Sequence, residues 1–193
     1  MSMLSSARPT LIDSVVPRSL VSDATLVLSG AVLTGLAAQV SVPTPIGVPF
    51  TLQTFAVLVV GAALGSIRGA ASMLLYVLLG AIGLPMFAGA TSGWAILVGN
   101  TAGFLAGFVV AGFVVGKLAE LKWSSNVLKM AAAYVVGSVI IYALGIPVLA
   151  AVSGVDLATA TGWMTPFMVW DGVKAVAAGA ALPAAWALVR KLK

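Results

Sequence analysis

Trp163-Met-Thr-Pro-Phe-Met-Val-Trp-Asp171-Gly-Val-Lys174-Ala-Val-Ala-Ala-Gly-Ala-Ala-Leu-Pro-Ala-Ala-Trp-Ala-Leu-Val189 is an apolar run interrupted by two charges. Its length suits a transmembrane helix. On insertion scales an Asp or Lys at the centre of such a helix costs about 2.5–3.5 kcal/mol. Nothing in the architecture of a membrane helix demands that cost. At i,i+3 the two side chains share one helical face and can point together into a protein interior. An intramembrane ionisable pair therefore reads as a site for a polar or charged ligand. The structural alternative is a pair that fixes the register of one helix against its neighbours.

The rest of the chain agrees with a membrane setting. It is 61% hydrophobic and 8% charged, with a mean hydropathy of +1.15, whereas soluble domains carry about 25% charged residues. The absence of cysteine excludes disulfide and thiolate chemistry, and the absence of histidine removes the commonest metal ligand and general base. Only Asp13, Asp23, Glu120, Asp156 and Asp171 supply carboxylates. An intramembrane enzyme using Asp171 as base would need a second tuned group, and no other carboxylate falls in a span. The expectation is a protein that is not an enzyme and has no metal site and no cofactor.

Apolar segments near 24–41, 50–66, 69–85, 94–116, 127–151 and 160–189 predict an all-α integral membrane bundle of six transmembrane helices. The second and third are joined by a tight turn at Ser66-Ile-Arg68. Residues 1–23 read as a polar tail without the features of a secretory signal, 24–190 as the membrane domain, and 191–193 as a basic end. Arg8, Arg18, Arg68, Lys117, Lys122, Lys129, Arg190, Lys191 and Lys193 all fall on one side of this scheme. The positive-inside rule then places both termini in the cytoplasm. This distribution also argues against nucleic acid as a partner.

On the other side, Val42-Pro-Thr-Pro-Ile-Gly-Val-Pro-Phe50 carries prolines that prevent a continuous helix. Pro85-Met-Phe-Ala-Gly-Ala-Thr-Ser-Gly-Trp94 is flexible and mildly polar. Both segments read either as ordinary turns or as covers of an outward-opening pocket. Gly99, Gly103, Gly107 and Ala111 form a small-residue ladder, with Gly112 and Gly116 a further step; close helix packing inside the bundle is the preferred reading. The first span has Gly30, Ala31, Thr34, Gly35 and Ala38 at similar spacing, which fits either internal packing or a docking face for another membrane protein. Gly112-Phe-Val-Val-Gly116-Lys117-Leu118 has neither the spacing nor the hydroxyl of a phosphate-binding loop.

Four segments in register carry a resemblance: Val48-Pro-Phe-Thr-Leu-Gln-Thr54, Gly80-Ala-Ile-Gly-Leu-Pro-Met-Phe-Ala-Gly89, Gly99-Asn-Thr-Ala-Gly-Phe104 and Pro166-Phe-Met-Val-Trp-Asp171-Gly-Val-Lys174. Over about 24–190 the chain resembles the BioY family, the biotin-binding S components of energy-coupling factor (ECF) transporters. The resemblance implies a subunit of a bacterial or archaeal cytoplasmic membrane that captures biotin from outside. It works there with a transmembrane coupling protein and two cytoplasmic ATPase subunits, surrounded by lipid. It also implies that Ala31, Gly35 and their neighbours meet the coupling protein, and that Asp171 and Lys174 are the family's ligand-binding Asp-x-x-Lys pair. Where the family often has a ligand-binding Asn after the third span, this chain has Thr91. Its usual Gly-Pro-[Ser/Thr]-Gly-Gly-Tyr reads Gly99-Asn-Thr-Ala-Gly-Phe104.

The residue chemistry suits that ligand. An ionised Asp171 only accepts hydrogen bonds and matches ureido N–H donors. Lys174 donates, either to the ureido oxygen or to the carboxylate. Charge-assisted bonds of this kind are roughly twice as strong as neutral ones. Gln53 adds a polar candidate, and Phe50, Phe87, Trp94 and Trp163 are candidate apolar walls. A secondary transporter using Asp171 as a proton site remains the competing class.

Overall fold

The computed structural model of the protein describes residues 10–191. Within the last helix the side chains of 176–182, 185–186 and 188–191 are outside the description. Arg8, Arg190, Lys191 and Lys193, four of the residues behind the charge asymmetry, thus lie outside the described residues and side chains.

Helix starts are written in the sequence. Ser19 accepts a hydrogen bond from the Ser22 N–H to open α1 (Leu20–Gln39), and Asn126 caps α5 (Val127–Ser153) through the Lys129 N–H. Both satisfy N–H groups that a helix leaves unpaired at its start. Asp156 takes the N–H and hydroxyl of Thr159 at the start of α6 (Leu157–Lys191), which hold its carboxyl below the usual carboxylate range. Between α1 and α5 lie α2 (Gln53–Leu64), α3 (Ser66–Ala81) and α4 (Ala102–Glu120). The six predicted helices are present. Among the described residues, α1, α4 and α5 are long and apolar enough to cross a membrane, and α2 and α3 are shorter apolar helices. Outward-facing Leu28, Val32, Leu33 and Leu36 on α1 and Val135, Val136 and Val139 on α5 are exposed apolar side chains, the pattern of helices solvated by lipid rather than water.

α4 is the central helix, packed on α2, α3 and α5, while α6 lies on α5 and α1 on α3. Glycines make this possible. A Cβ on Gly61 would stand 2.7 Å from the Gly112 carbonyl oxygen, and one on Gly69 would stand 2.8 Å from the Gly61 Cα. α2, α3 and α4 therefore meet backbone to backbone. Gly107 faces the Ile141 backbone and Gly103 that of Leu144, so the ladder on α4 serves internal packing as expected. Gly99 is not part of it, because it precedes the helix.

Several boundaries differ from expectation. The α2–α3 turn is a single residue, Gly65, at φ +89°, a conformation glycine adopts without steric cost. α4 starts at Ala102 rather than 94, since Trp94–Val98 is a 3-10 helix bounded by Gly93 at φ +102° and an extended Gly99. The Asn100 side chain donates to the Ile46 carbonyl at 2.9 Å, tying this apolar segment across the first loop. Nor are residues 10–23 a free tail. α1 begins at Leu20, and Thr10 is buried beside Gly65. Asp13 accepts from Arg18 and Arg68 at 2.8 Å each, and Arg68 also pairs with Asp23. Burial alone would raise the Asp13 carboxyl. Arg18, the Thr10 N–H and Arg68 more than offset that and pull it well below the usual range. Beside this cluster, buried Glu120 accepts from the Ser66 N–H at 2.8 Å and hydroxyl at 2.7 Å, capping α3.

The small residues on α1 take part in packing within the bundle. Gly30, Ala31, Thr34, Gly35 and Ala38 are all buried. Gly30 abuts Ser72 and Val60, and Gly35 abuts Met86. The Thr34 hydroxyl donates to the Gly30 carbonyl and reaches the Met73 sulfur at 3.8 Å. The small residues bring α1 onto α2 and α3 and are covered by them.

Candidate functional site: a chamber closed by the first loop

α2 has 12 residues, about 18 Å of helix, against a hydrocarbon core of about 30 Å. The missing length is made up by non-helical backbone. Ser41–Val42 (β1) and Phe50–Thr51 (β2) pair antiparallel, Ser41 with Thr51 and Val42 with Phe50, and carry the first loop down into the bundle. Irregular backbone at membrane depth is tolerated where it is buried in protein or lines a cavity. Here it lines a chamber of about 450 Å³, within the range of small-molecule sites.

Asp171 and Lys174 lie on its wall. Lys174 Nζ donates to Asp171 Oδ1 at 2.8 Å, to the Thr51 carbonyl oxygen at 2.8 Å and, at 3.5 Å, to Thr54 Oγ1. The Thr54 hydroxyl donates to Asp171 Oδ1 at 2.9 Å and the Tyr142 hydroxyl to Oδ2 at 2.7 Å. The Asp171 side chain is 7% exposed and that of Lys174 12%, so each charge depends on its partners rather than on solvent. The pair binds α6 to α2, α5 and the first loop at once.

Aromatic rings surround it. Phe50 stacks on Phe167 with centroids 3.7 Å apart and planes 5° from parallel. Tyr142 meets Phe104 edge to face at 6.2 Å, and Tyr76 meets Phe87 at 5.6 Å. Gln53, buried, donates to the Tyr76 hydroxyl. The loop after α3 is pinned by Gln39 at the end of α1. Its side chain accepts from the Ala90 N–H at 2.9 Å and donates to the Phe87 carbonyl at 3.2 Å. Phe87 is thereby held over Gly80, where any side chain would strike its ring.

Asp171, Lys174, Gln53, Phe50, Phe87 and Thr91 are all brought to the chamber. Thr91 is on its exposed rim, with its hydroxyl donating to the Ala88 carbonyl at 2.9 Å. The structure does not bring Trp94 or Trp163 there. Trp94 is 66% exposed on the 3-10 helix, and Trp163 packs against the core from a half-buried position. Aromaticity near a span end marks interfacial anchors as well as ligand walls, and here it marked positions outside the chamber. Tyr142, Thr54 and the Thr51 carbonyl escaped the sequence reading. Hydroxyls cost too little in a span to stand out, although Thr54 follows Gln53 directly and Tyr142 is one of only three tyrosines.

Six helices, three of them long and apolar enough to cross a membrane, around a ligand-sized chamber with a buried ion pair are the architecture of a multi-pass membrane protein with a candidate ligand site. The chain matches the BioY family over residues 7–191, and it belongs to that family. A Rhodobacter capsulatus protein named biotin transporter BioY is 40% identical over 163 residues, covering 79% of this chain and 86% of its own length. A Thermotoga maritima protein of the same name is 45% identical over 136 residues, covering 69% and 79%. The fold matches a 2.1 Å crystal structure of the S-component for biotin from an ECF-type ABC transporter, with a TM-score of 0.77 at 24% identity over 89% of this chain and 90% of that one.

Proposed function

We propose that this protein binds biotin in the chamber and serves as the substrate-binding component of an ECF-type transporter. The observation that carries the proposal is the Asp171–Lys174 pair buried on the chamber wall in a chain of the BioY family. The pair offers hydrogen-bond acceptance and donation side by side, which suits the ureido ring or carboxylate of biotin, and the stacked rings of Phe50 and Phe167 suit its apolar body. The partners are a transmembrane coupling protein and two cytoplasmic ATPases. The setting is the cytoplasmic membrane, with the chamber facing outward and the Arg68–Asp13 end facing the cytoplasm, as the basic residues favour. Its role is transport, with no bond made or broken.

Titration of detergent-purified protein with labelled biotin, competed by other vitamins, tests the assignment. Saturable binding that only biotin displaces is expected, and absence of saturable biotin binding overturns it. Uptake in vesicles that follows a proton gradient, without ATP and partner subunits, would instead favour a secondary transporter.

A further inference from the structure

A second, small cavity of about 10 Å³ borders Asp171, Lys174 and Thr54 on a side the chamber does not share. Its remaining walls are Phe55, Leu58, Ala175 and Ser138, none of which lines the chamber. Ser138 Oγ is buried and has no hydrogen-bond partner among the described residues. A buried hydroxyl normally finds a partner, and this one faces a space bounded by an ammonium, a carboxylate and a second hydroxyl.

We propose that this cavity is a built site for one water molecule, held between Ser138 Oγ and Lys174 Nζ. The volume is at the lower bound for a single water, about 10–15 Å³, and a buried water needs two to four polar partners. Ser138, Lys174, Thr54 and Asp171 supply them. Lys174 has three N–H donors. Asp171 Oδ1 and the Thr51 carbonyl take two at 2.8 Å, while the nearest further acceptor, Thr54 Oγ1, is at 3.5 Å. The third donor makes only this long bond and can share it with the water as a three-centre bond. When a ligand fills the chamber and displaces its solvent, this water keeps the ammonium satisfied from behind. Ser138 is thus a positioning residue that acts on Lys174 through solvent.

A crystal structure of the unliganded protein, at a resolution that shows ordered solvent, tests the site apart from any question about biotin. One solvent peak within hydrogen-bond reach of Ser138 Oγ and Lys174 Nζ is expected, and its absence overturns the site. Ser138→Val replaces the hydroxyl with methyl groups that occupy the space. It should lose the peak and bind labelled biotin about tenfold more weakly, the scale of one lost hydrogen bond. Wild-type affinity in that variant would overturn the supporting role. If Ser138→Val does not fold, the wild-type solvent peak decides the site, and Ser138→Ala, which removes one partner of the water without filling its space, decides the role by the same titration.

Discussion

Replacing Lys174 with methionine keeps most of its volume and removes its charge, leaving Asp171 with side-chain donors from Thr54 and Tyr142 among the described residues. Removing one member of a buried pair costs about 3–5 kcal/mol, whereas replacing both members with neutral groups is often close to neutral. The two hydroxyl donors that remain put Lys174→Met near the lower bound, about 3 kcal/mol, or a factor of roughly 160 in the folding equilibrium. Asp171→Asn/Lys174→Met should recover most of that stability, because the amide oxygen accepts from one hydroxyl, the amide N–H donates to the other, and no bare charge stays buried. Biotin binding should not recover: both variants are expected to bind at least about 2–5 kcal/mol more weakly. Denaturation in detergent micelles, read alongside labelled-biotin titration, follows both quantities on the same samples. The reasoning is refuted if the double variant is no more stable than Lys174→Met, since the two charges would then not be coupled. Wild-type biotin affinity in Lys174→Met would remove the site assignment itself.

Three more outcomes follow from the geometry. Tyr142→Phe removes a hydrogen bond to a charged group while leaving the ring against Phe104, so a stability loss of about 1.5–3 kcal/mol is expected in the same denaturation assay. Trp94→Ala, at an exposed position off the chamber, should leave biotin affinity unchanged in titration, and a clear loss would bring that residue back to the site. Asp13 has a carboxyl depressed in the folded state by Arg18, the Thr10 N–H and Arg68 despite burial that acts the other way. The folded chain therefore holds fewer protons there than the unfolded chain. The stabilisation is fully present above the ordinary carboxylate value of about 3.9 and is lost as pH falls through the lower folded value. Asp13→Asn should flatten the acid limb of a plot of stability against pH, and an unaltered limb would show that the Arg68 cluster is not responsible.

The sequence made the ion pair legible because two charges inside a hydrocarbon-length run cannot be ignored, and their spacing put them on one face. The helix count was legible for the same reason that hydropathy works at all: each span must satisfy its own backbone. Boundaries were less so. Trp94–Val98 is as apolar as a span, yet glycines on both sides and the Asn100 tie to Ile46 turn it into a 3-10 cover. Small-residue spacing on α1 announced a close approach without saying to what, and α2 and α3 proved to be the answer. Tyr142 and Thr54 were hidden because a hydroxyl can bond a helix's own backbone or a distant carboxylate with no difference in sequence.

The contact from Lys174 to the first loop ends on a peptide oxygen. Every amino acid carries that atom, so a scan of residue types at position 51 would be blind to the bond unless the strand itself shifted. Control over the lysine's tether therefore belongs to chain placement and not to side-chain identity, and forces that pull on the loop are the natural handle on how firmly the cargo is gripped.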